Sequence, residues 1–294
     1  MFRDVPIKFG TSTAAVCLRL SREARLRKLS QLCLANAQAL SAAVAWCGAH
    51  GVGAFRVVSQ ILPLKTHPEC GYAIDELPDA SAIVAQFEQV RRSAGELDVR
   101  LSFHPDQFVV LNSPRPEVVA ASLAELDYQC EVAAWIGADV VNIHAGGAYG
   151  DKPAALDRLR RTIDALPDHI RTRLTLENDD VTFTPADLLP LCRTGGIPLV
   201  YDVHHHRCLP DGLGIDEATT AAAGTWPREP LFHISSPLEG WSGPKPARHH
   251  DYIDPADFPA AWRGMRITVD VEAKAKEAAV LKLAADLAGD ATGE

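Results

Sequence analysis

The sequence has no CxxC pair and no glycine-rich GxGxxG turn. It also has no run of about 18 uninterrupted apolar residues, the length an ordinary membrane-spanning helix needs. Its seven cysteines (17, 33, 47, 70, 130, 192, 208) are scattered and odd in number. They read as small buried hydrophobes in a reducing compartment, and no cysteine spacing supports a zinc knuckle. The opening residues, MFRDVPIKFG, lack an apolar core followed by a small-residue cleavage site. No secretory signal is expected, and the expected location is the cytoplasm of a prokaryote-like cell. Positive charge is short as well: 29 Lys+Arg against 38 Asp+Glu give −9. That excludes a protein whose main business is coating nucleic acid electrostatically. It leaves room for a nucleic-acid enzyme, because bound divalent cations invert the field near a site. No linker, low-complexity segment or fixed repeat is visible. The 294 residues, 47% apolar and 23% charged, are expected to form a single domain over 1–294, with a core over 7–288 and a loose tail over 289–294.

Short β-rich runs alternate with longer Ala/Leu-rich helical runs. The expected strands are 7–13, 54–59, 100–105, 140–145, 174–179, 198–205, 231–236 and 266–273. Each is a short apolar run bounded by polar or turn residues, as in strands buried on both faces. Helices are expected over 23–49, 117–137, 153–166, 185–192 and 273–287. Eight strands alternating with helices in a chain of this length fit an α/β fold, a single (β/α)8 TIM barrel whose active site lies at the C-terminal ends of the strands. A doubly wound open sheet is the alternative, but it normally carries the phosphate turn missing here.

The barrel makes a test, because functional groups should gather at the strand ends. His104, His144, Glu177, Asp202, His205, His233 and Glu272 all fall there, on six consecutive expected strands. His67 follows the second strand, and His249 and His250 follow the seventh. Imidazole and carboxylate suit Zn2+, Mn2+ or Fe2+, and so many donors suit two or three ions better than one. Ions ~3.5–4 Å apart suit phosphodiester hydrolysis. His204 and His206 are expected as supporting or surface groups, and Asn178, Asp179 and Asp180 as groups that orient ligands or cap the next helix. Gln107 and Phe108 read as a wedge for exposed bases or as plain loop packing. Lys152 is a candidate phosphate contact, and Lys245, Arg248, Lys274 and Lys276 could add charge to the rim.

The segments SQILPLKTH (59–67), FHPDQFVVLNSP (103–114), NIHAGGAYGDK (142–152), LENDD (176–180), YDVHHH (201–206), FHISS (232–236), HHDYI (249–253) and EAKAKE (272–277) resemble, in order, the UV damage endonuclease (UvdE/UvsE) family. The resemblance covers nearly the whole chain. It implies a TIM barrel related to endonuclease IV, and a hydrolase that is a metal-dependent endodeoxyribonuclease of DNA repair. Such an enzyme nicks damaged double-stranded DNA 5′ of pyrimidine dimers and 6-4 products, and in some members at abasic sites. No membrane or obligate protein partner is implied. Manganese is the implied cofactor, two or three ions, with Zn2+, Fe2+ or Mg2+ as alternatives. The implied ligands are His67, His104, His144, Glu177, Asp202, His205, His233, His249 and Glu272, with Glu177, His144 and Glu272 catalytic. Gln107 and Phe108 would probe the lesion. The HxDYI pattern favours His249 over His250. Two positions depart from the family pattern: Thr11 stands where a probing Tyr is usual, and Leu231 where a Lys is usual. These departures, with the acidic charge, keep open a divergent metal-dependent barrel enzyme acting on a small molecule, sugar or peptide. A non-catalytic damage-binding module predicts gaps in the ligand set, and the set has none.

Overall fold

A computed structural model describes residues 2–290; residues 291–294 of the expected loose tail lie outside them. The chain forms two compact units. The first holds Pro6–Val109 and Ala120–Val141; the second holds Phe2–Val5, Val110–Val119 and the chain from Asn142 onward.

In the first unit, β1 (Ala54–Val57) and β2 (Arg100–Phe103) pair in parallel, with Phe55 opposite Leu101 and Val57 opposite Phe103. Strand β3 (Val140–His144) adds to β2, with Val141 opposite Phe103. Helices supply apolar faces. Helix Arg22–Ala49 starts at Ser21, whose side chain accepts from the Ala24 N–H at 3.3 Å. It is long and apolar enough to cross a membrane by composition alone. Here it is a core helix, burying Leu29, Cys33, Ala37, Leu40 and Val44 along one stripe. Helix Ala80–Glu96, absent from the sequence expectation, buries Ile83, Phe87, Val90 and Ala94 at the same spacing.

Residues 7–13 form no strand. Gly10 has its N–H bound to Asn36 Oδ1 at 2.6 Å and its carbonyl to Asn36 Nδ2 at 2.9 Å. The same Nδ2 donates to the Ile61 carbonyl at 2.9 Å. A fully buried amide thus does the work a ladder would have done, and the short helix Ala14–Cys17 begins at Thr13.

In the second unit, β4 (Leu174–Glu177) pairs in parallel with β5 (Leu199–Val200), and β6 (Leu231–Ile234) with β7 (Thr268–Val271). A bridge between Asp202 and His233 carries the order from β5 to β6. Seven strands form among the described residues, against eight expected. Helices Lys152–Asp164, Pro185–Gly195, Ile215–Ala223 and Glu277–Asp290 belong to this unit. The second starts with a reciprocal cap between Thr184 and Asp187 and stops at Gly196, at φ 65°. Rings of Tyr201, Phe232 and Trp262 pack together in the core. The main chain of Arg3, Asp4 and Val5 donates to the Glu277 carboxylate at 2.7–3.3 Å, fixing the first residues to the start of the last helix.

Candidate metal centre

Expected as a strand to 205, the chain instead leaves β5 at Val200 and turns into a short helix, Val203–Cys208. Asp202 is its N-cap, and Oδ1 accepts the His205 N–H at 2.8 Å. Helical spacing, rather than strand alternation, therefore returns His205 to the side of Asp202. Glu177, Asp202 and His205 each offer one donor atom, all within 4.8 Å of one another. Glu177 and Asp202 are fully buried.

Supporting side chains aim these donors. Asn142, at the second unit's end of β3, donates from Nδ2 to Glu177 Oε2, and its Oδ1 accepts from Thr175 Oγ1 at 2.9 Å. Asn178 clasps Asp202 twice, accepting from its N–H at 3.0 Å and donating to its carbonyl at 2.9 Å. The Asn178 carbonyl also faces His205 Nδ1 at 3.0 Å. Asp179 organises the following turn by accepting from the N–H groups of Val181, Thr182 and Phe183.

His233, beside them on β6, has Nδ1 3.1 Å from Glu177 Oε1 and 3.4 Å from Glu272 Oε1. Its Nε2 is 3.6 Å from Asp270 Oδ2, directly across the β6–β7 register. The His144 ring lies 5.8 Å from that of His205. His249 sits on the loop after β6, its Nδ1 3.8 Å from Glu272 Oε2. His250 turns its Nδ1 to the Tyr252 N–H at 2.9 Å.

His204 and His206, expected as supporting or surface groups, are both buried. His206 is held between the Tyr201 hydroxyl at 2.7 Å and Asp211 at 3.0 Å. His204 lies 5.2 Å from the Trp241 ring. Trp241 is anchored by its indole N–H to Asp257 at 2.7 Å and carries the Arg207 guanidinium 5.5 Å above its ring. Lys152 pairs with Asp187 at 2.8 Å, so it reaches a phosphate only by leaving that partner. Leu231 is buried in β6. Arg248 of the expected rim pairs with Glu239 at 3.5 Å.

The remaining candidates belong to the first unit. His104 directly follows β2, and its carbonyl accepts from Ser59 Oγ at 2.9 Å. His67 Nδ1 accepts from the Glu69 and Cys70 N–H groups at 3.1 and 3.2 Å, so it ligates through Nε2 only by surrendering those bonds. Gln107 and Phe108 are exposed on the loop after β2, Phe108 to 76%. Thr11 donates to Gln60 Oε1 at 3.1 Å.

The second-unit donors fit a divalent cation. Burial works against charge on His205, but Asp202, Glu177 and Glu272 outweigh it and raise the ring to about 9. The pocket demands positive charge. Asp202 Oδ2 is buried without a hydrogen-bond partner, with His205 Nδ1 3.4 Å away; a bound cation would offset the cost of about 1–3 kcal/mol of leaving it unbonded. Carboxylate and imidazole together suit Mn2+, Zn2+ or Fe2+. Asn142, Asp270 and Ser235 join the site beyond the sequence's own candidates. Asn142 and Asp270 stand two residues before His144 and Glu272, on the same strand face, which is the signal that finds them.

The UV-endonuclease UvdE family model matches residues 3–292. A UV DNA damage endonuclease of Bacillus velezensis is 35% identical, covering 94% of this chain and 88% of the relative. Among solved structures, SacUVDE matches with a TM-score of 0.84 and 29% identity, over 97% of this chain and 94% of that one. Endonuclease IV of Thermus thermophilus matches at 0.61 and 18% identity, over 85% and 94%; that likeness concerns the fold alone. The fold class is α/β, of the TIM-barrel type.

Proposed function

Because the chain belongs to the UV-endonuclease UvdE family, we propose that it is a metal-dependent DNA-repair endonuclease that nicks damaged double-stranded DNA 5′ of UV photoproducts, and abasic sites as well. The buried group of Glu177, Asp202 and His205 carries this reading, with one carboxylate oxygen lacking a hydrogen-bond partner. In the second unit, Glu177, Asp202, His205, His233, Glu272, His144 and His249 would hold two or three divalent ions, Mn2+ first among them. His104 and His67 are the first unit's candidates. Bound divalent ions supply Lewis acidity and lower the pKa of water.

The chain's own residues do the rest. Asn142 and Asn178 keep Glu177 and Asp202 aimed, so little reorganisation remains when substrate binds. Gln107 and exposed Phe108 meet the duplex, where a photoproduct has already lowered the cost of unstacking. Thr11 and Leu231 alter the probing surface and the strand beneath the site, while leaving every proposed ligand in place. One family model spans both compact units, which supports a single domain. The expected place of action is the cytoplasm, with the chromosome.

The test is nicking of UV-irradiated plasmid with Mn2+, set against unirradiated plasmid and against chelator. Lesion-dependent, chelator-sensitive nicks mapped to the 5′ side are expected. Equal cutting of both plasmids, or turnover of a ketose with no nicking, rejects the proposal.

A further inference from the structure

Ser235 follows β6 and is fully buried. Its hydroxyl has one proton and two lone pairs. Two groups face it: the Glu272 carbonyl oxygen at 3.0 Å and His249 Nδ1 at 3.3 Å. A carbonyl can only accept. Both contacts are satisfied together when the serine proton goes to Glu272 and His249 donates from Nδ1. The nearby Glu272 carboxylate, 3.8 Å from the same nitrogen, favours a proton there too.

The main-chain carbonyl of Ser235 performs the same service for a second ring. It lies 3.2 Å from His204 Nδ1, which must donate to it. His204 is fully buried, and its Nε2 has no hydrogen-bond partner. The His204 and His249 rings are 5.2 Å apart between centroids. An imidazole that donates one N–H to a carbonyl or hydroxyl and keeps its other nitrogen unprotonated has the arrangement typical of a metal-ligating histidine. His250 is the contrast. Its Nδ1 is held within its own turn, 2.9 Å from the Tyr252 N–H and 3.1 Å from the Tyr252 carbonyl, so its partners fix neither tautomer.

We propose that Ser235 is a positioning residue that locks His204 and His249 as Nδ1–H tautomers, making both Nε2 atoms electron-pair donors and adding His204 to the cation-holding groups. The tautomer assignment stands whatever the reaction; the ligation rests on the metal-dependent reading above.

The experiment is 15N–1H correlation spectroscopy on histidine-labelled, metal-free protein at a pH where both rings are neutral, followed by Zn2+ addition. Wild-type protein should show both rings with the proton on Nδ1, and Zn2+ should shift both Nε2 resonances. In S235A, His249 loses its hydrogen-bonded acceptor and its Nδ1–H population falls, while His204, held by a main-chain carbonyl, does not change. Mn2+ affinity by titration falls about 10–100-fold, and S235T restores it. A general packing defect would move both rings. An Nε2–H form of either ring in wild type overturns the proposal, as does a His204 resonance unmoved by Zn2+ or an S235A protein with His249 unchanged. Should S235A fail to fold, the wild-type spectrum decides alone. That spectrum needs neither metal nor DNA, so the proposal can fail while the nuclease reading stands. Absence of Mn2+ binding in wild type would reject the nuclease reading without touching the tautomers.

Discussion

Asp202 and His205 are joined by a hydrogen bond from the His205 N–H to Asp202 Oδ1 at 2.8 Å. One carboxylate therefore starts a helix with one oxygen and faces the candidate metal centre with the other. The two roles separate by substitution. D202N keeps a good capping residue and should melt close to wild type without metal, whereas D202A should lose about 0.5–2 kcal/mol. Both should lose Mn2+ affinity and nicking. Thermal melting in chelator, set beside metal titration, checks this; equal melting losses in the two variants would refute it.

Glu177 is fully buried near two other carboxylates and His233. E177Q removes a charge from a crowded pocket, so the metal-free protein should be as stable as wild type or more so. Nicking should fall by about 100-fold or more, and the rise in melting temperature on adding Mn2+ should shrink. Circular dichroism separates this from unfolding. Retained nicking would remove Glu177 from the centre.

Glu277 links stability to pH. Burial alone would raise its carboxyl, but the N–H groups of Asp4, Arg3 and Val5 outweigh burial and hold it below the ordinary carboxylate range. A carboxylate whose folded pKa is depressed stabilises the fold above its unfolded pKa of about 4.3, and that contribution vanishes as pH falls through the folded value. E277Q should cost about 1.5–3 kcal/mol near neutrality and progressively less below pH ~4. Denaturant titrations at two pH values measure the difference, and a pH-independent gap would contradict the linkage.

Gly146 has φ +87°, and a Cβ placed there would lie 2.2 Å from Asn112 Oδ1. Asn112 cannot simply swing away, because its Nδ2 holds the Gly147 carbonyl at 2.9 Å. G146A should destabilise by about 1–3 kcal/mol. Because the loop begins at His144, Mn2+ affinity should drop with it. Unchanged melting would show that the loop adjusts freely.

Alternation of short apolar runs with helical ones was enough to read seven of the strands, because buried parallel strands need that composition. Residues 7–13 carry the same composition yet form no strand, since the partner that satisfies Gly10 is the side chain of Asn36, 26 positions away. No local pattern records such a partner. The run 198–205 misled for a different reason. Asp202 is a helix cap as readily as a strand residue, and the fold uses it as the cap. Helix Ala80–Glu96 has a regular apolar stripe, but it is interrupted by enough polar residues to resemble a loop in composition. At the site, His, Asp and Glu at strand ends were legible because their types announce metal chemistry. Asn142, Asp270 and Ser235 were not, because amide, carboxylate and hydroxyl side chains occur everywhere and gain meaning only from what they touch.

Trp241 has an exposed edge, a hydrogen bond to Asp257 and a buried imidazole 5.2 Å from its ring. Its indole is thus a built-in fluorophore beside the site. A paramagnetic ion arriving near His204 and His249 should dim its emission, so occupancy could be followed optically, without any label, and compared with a Trp241→Phe control.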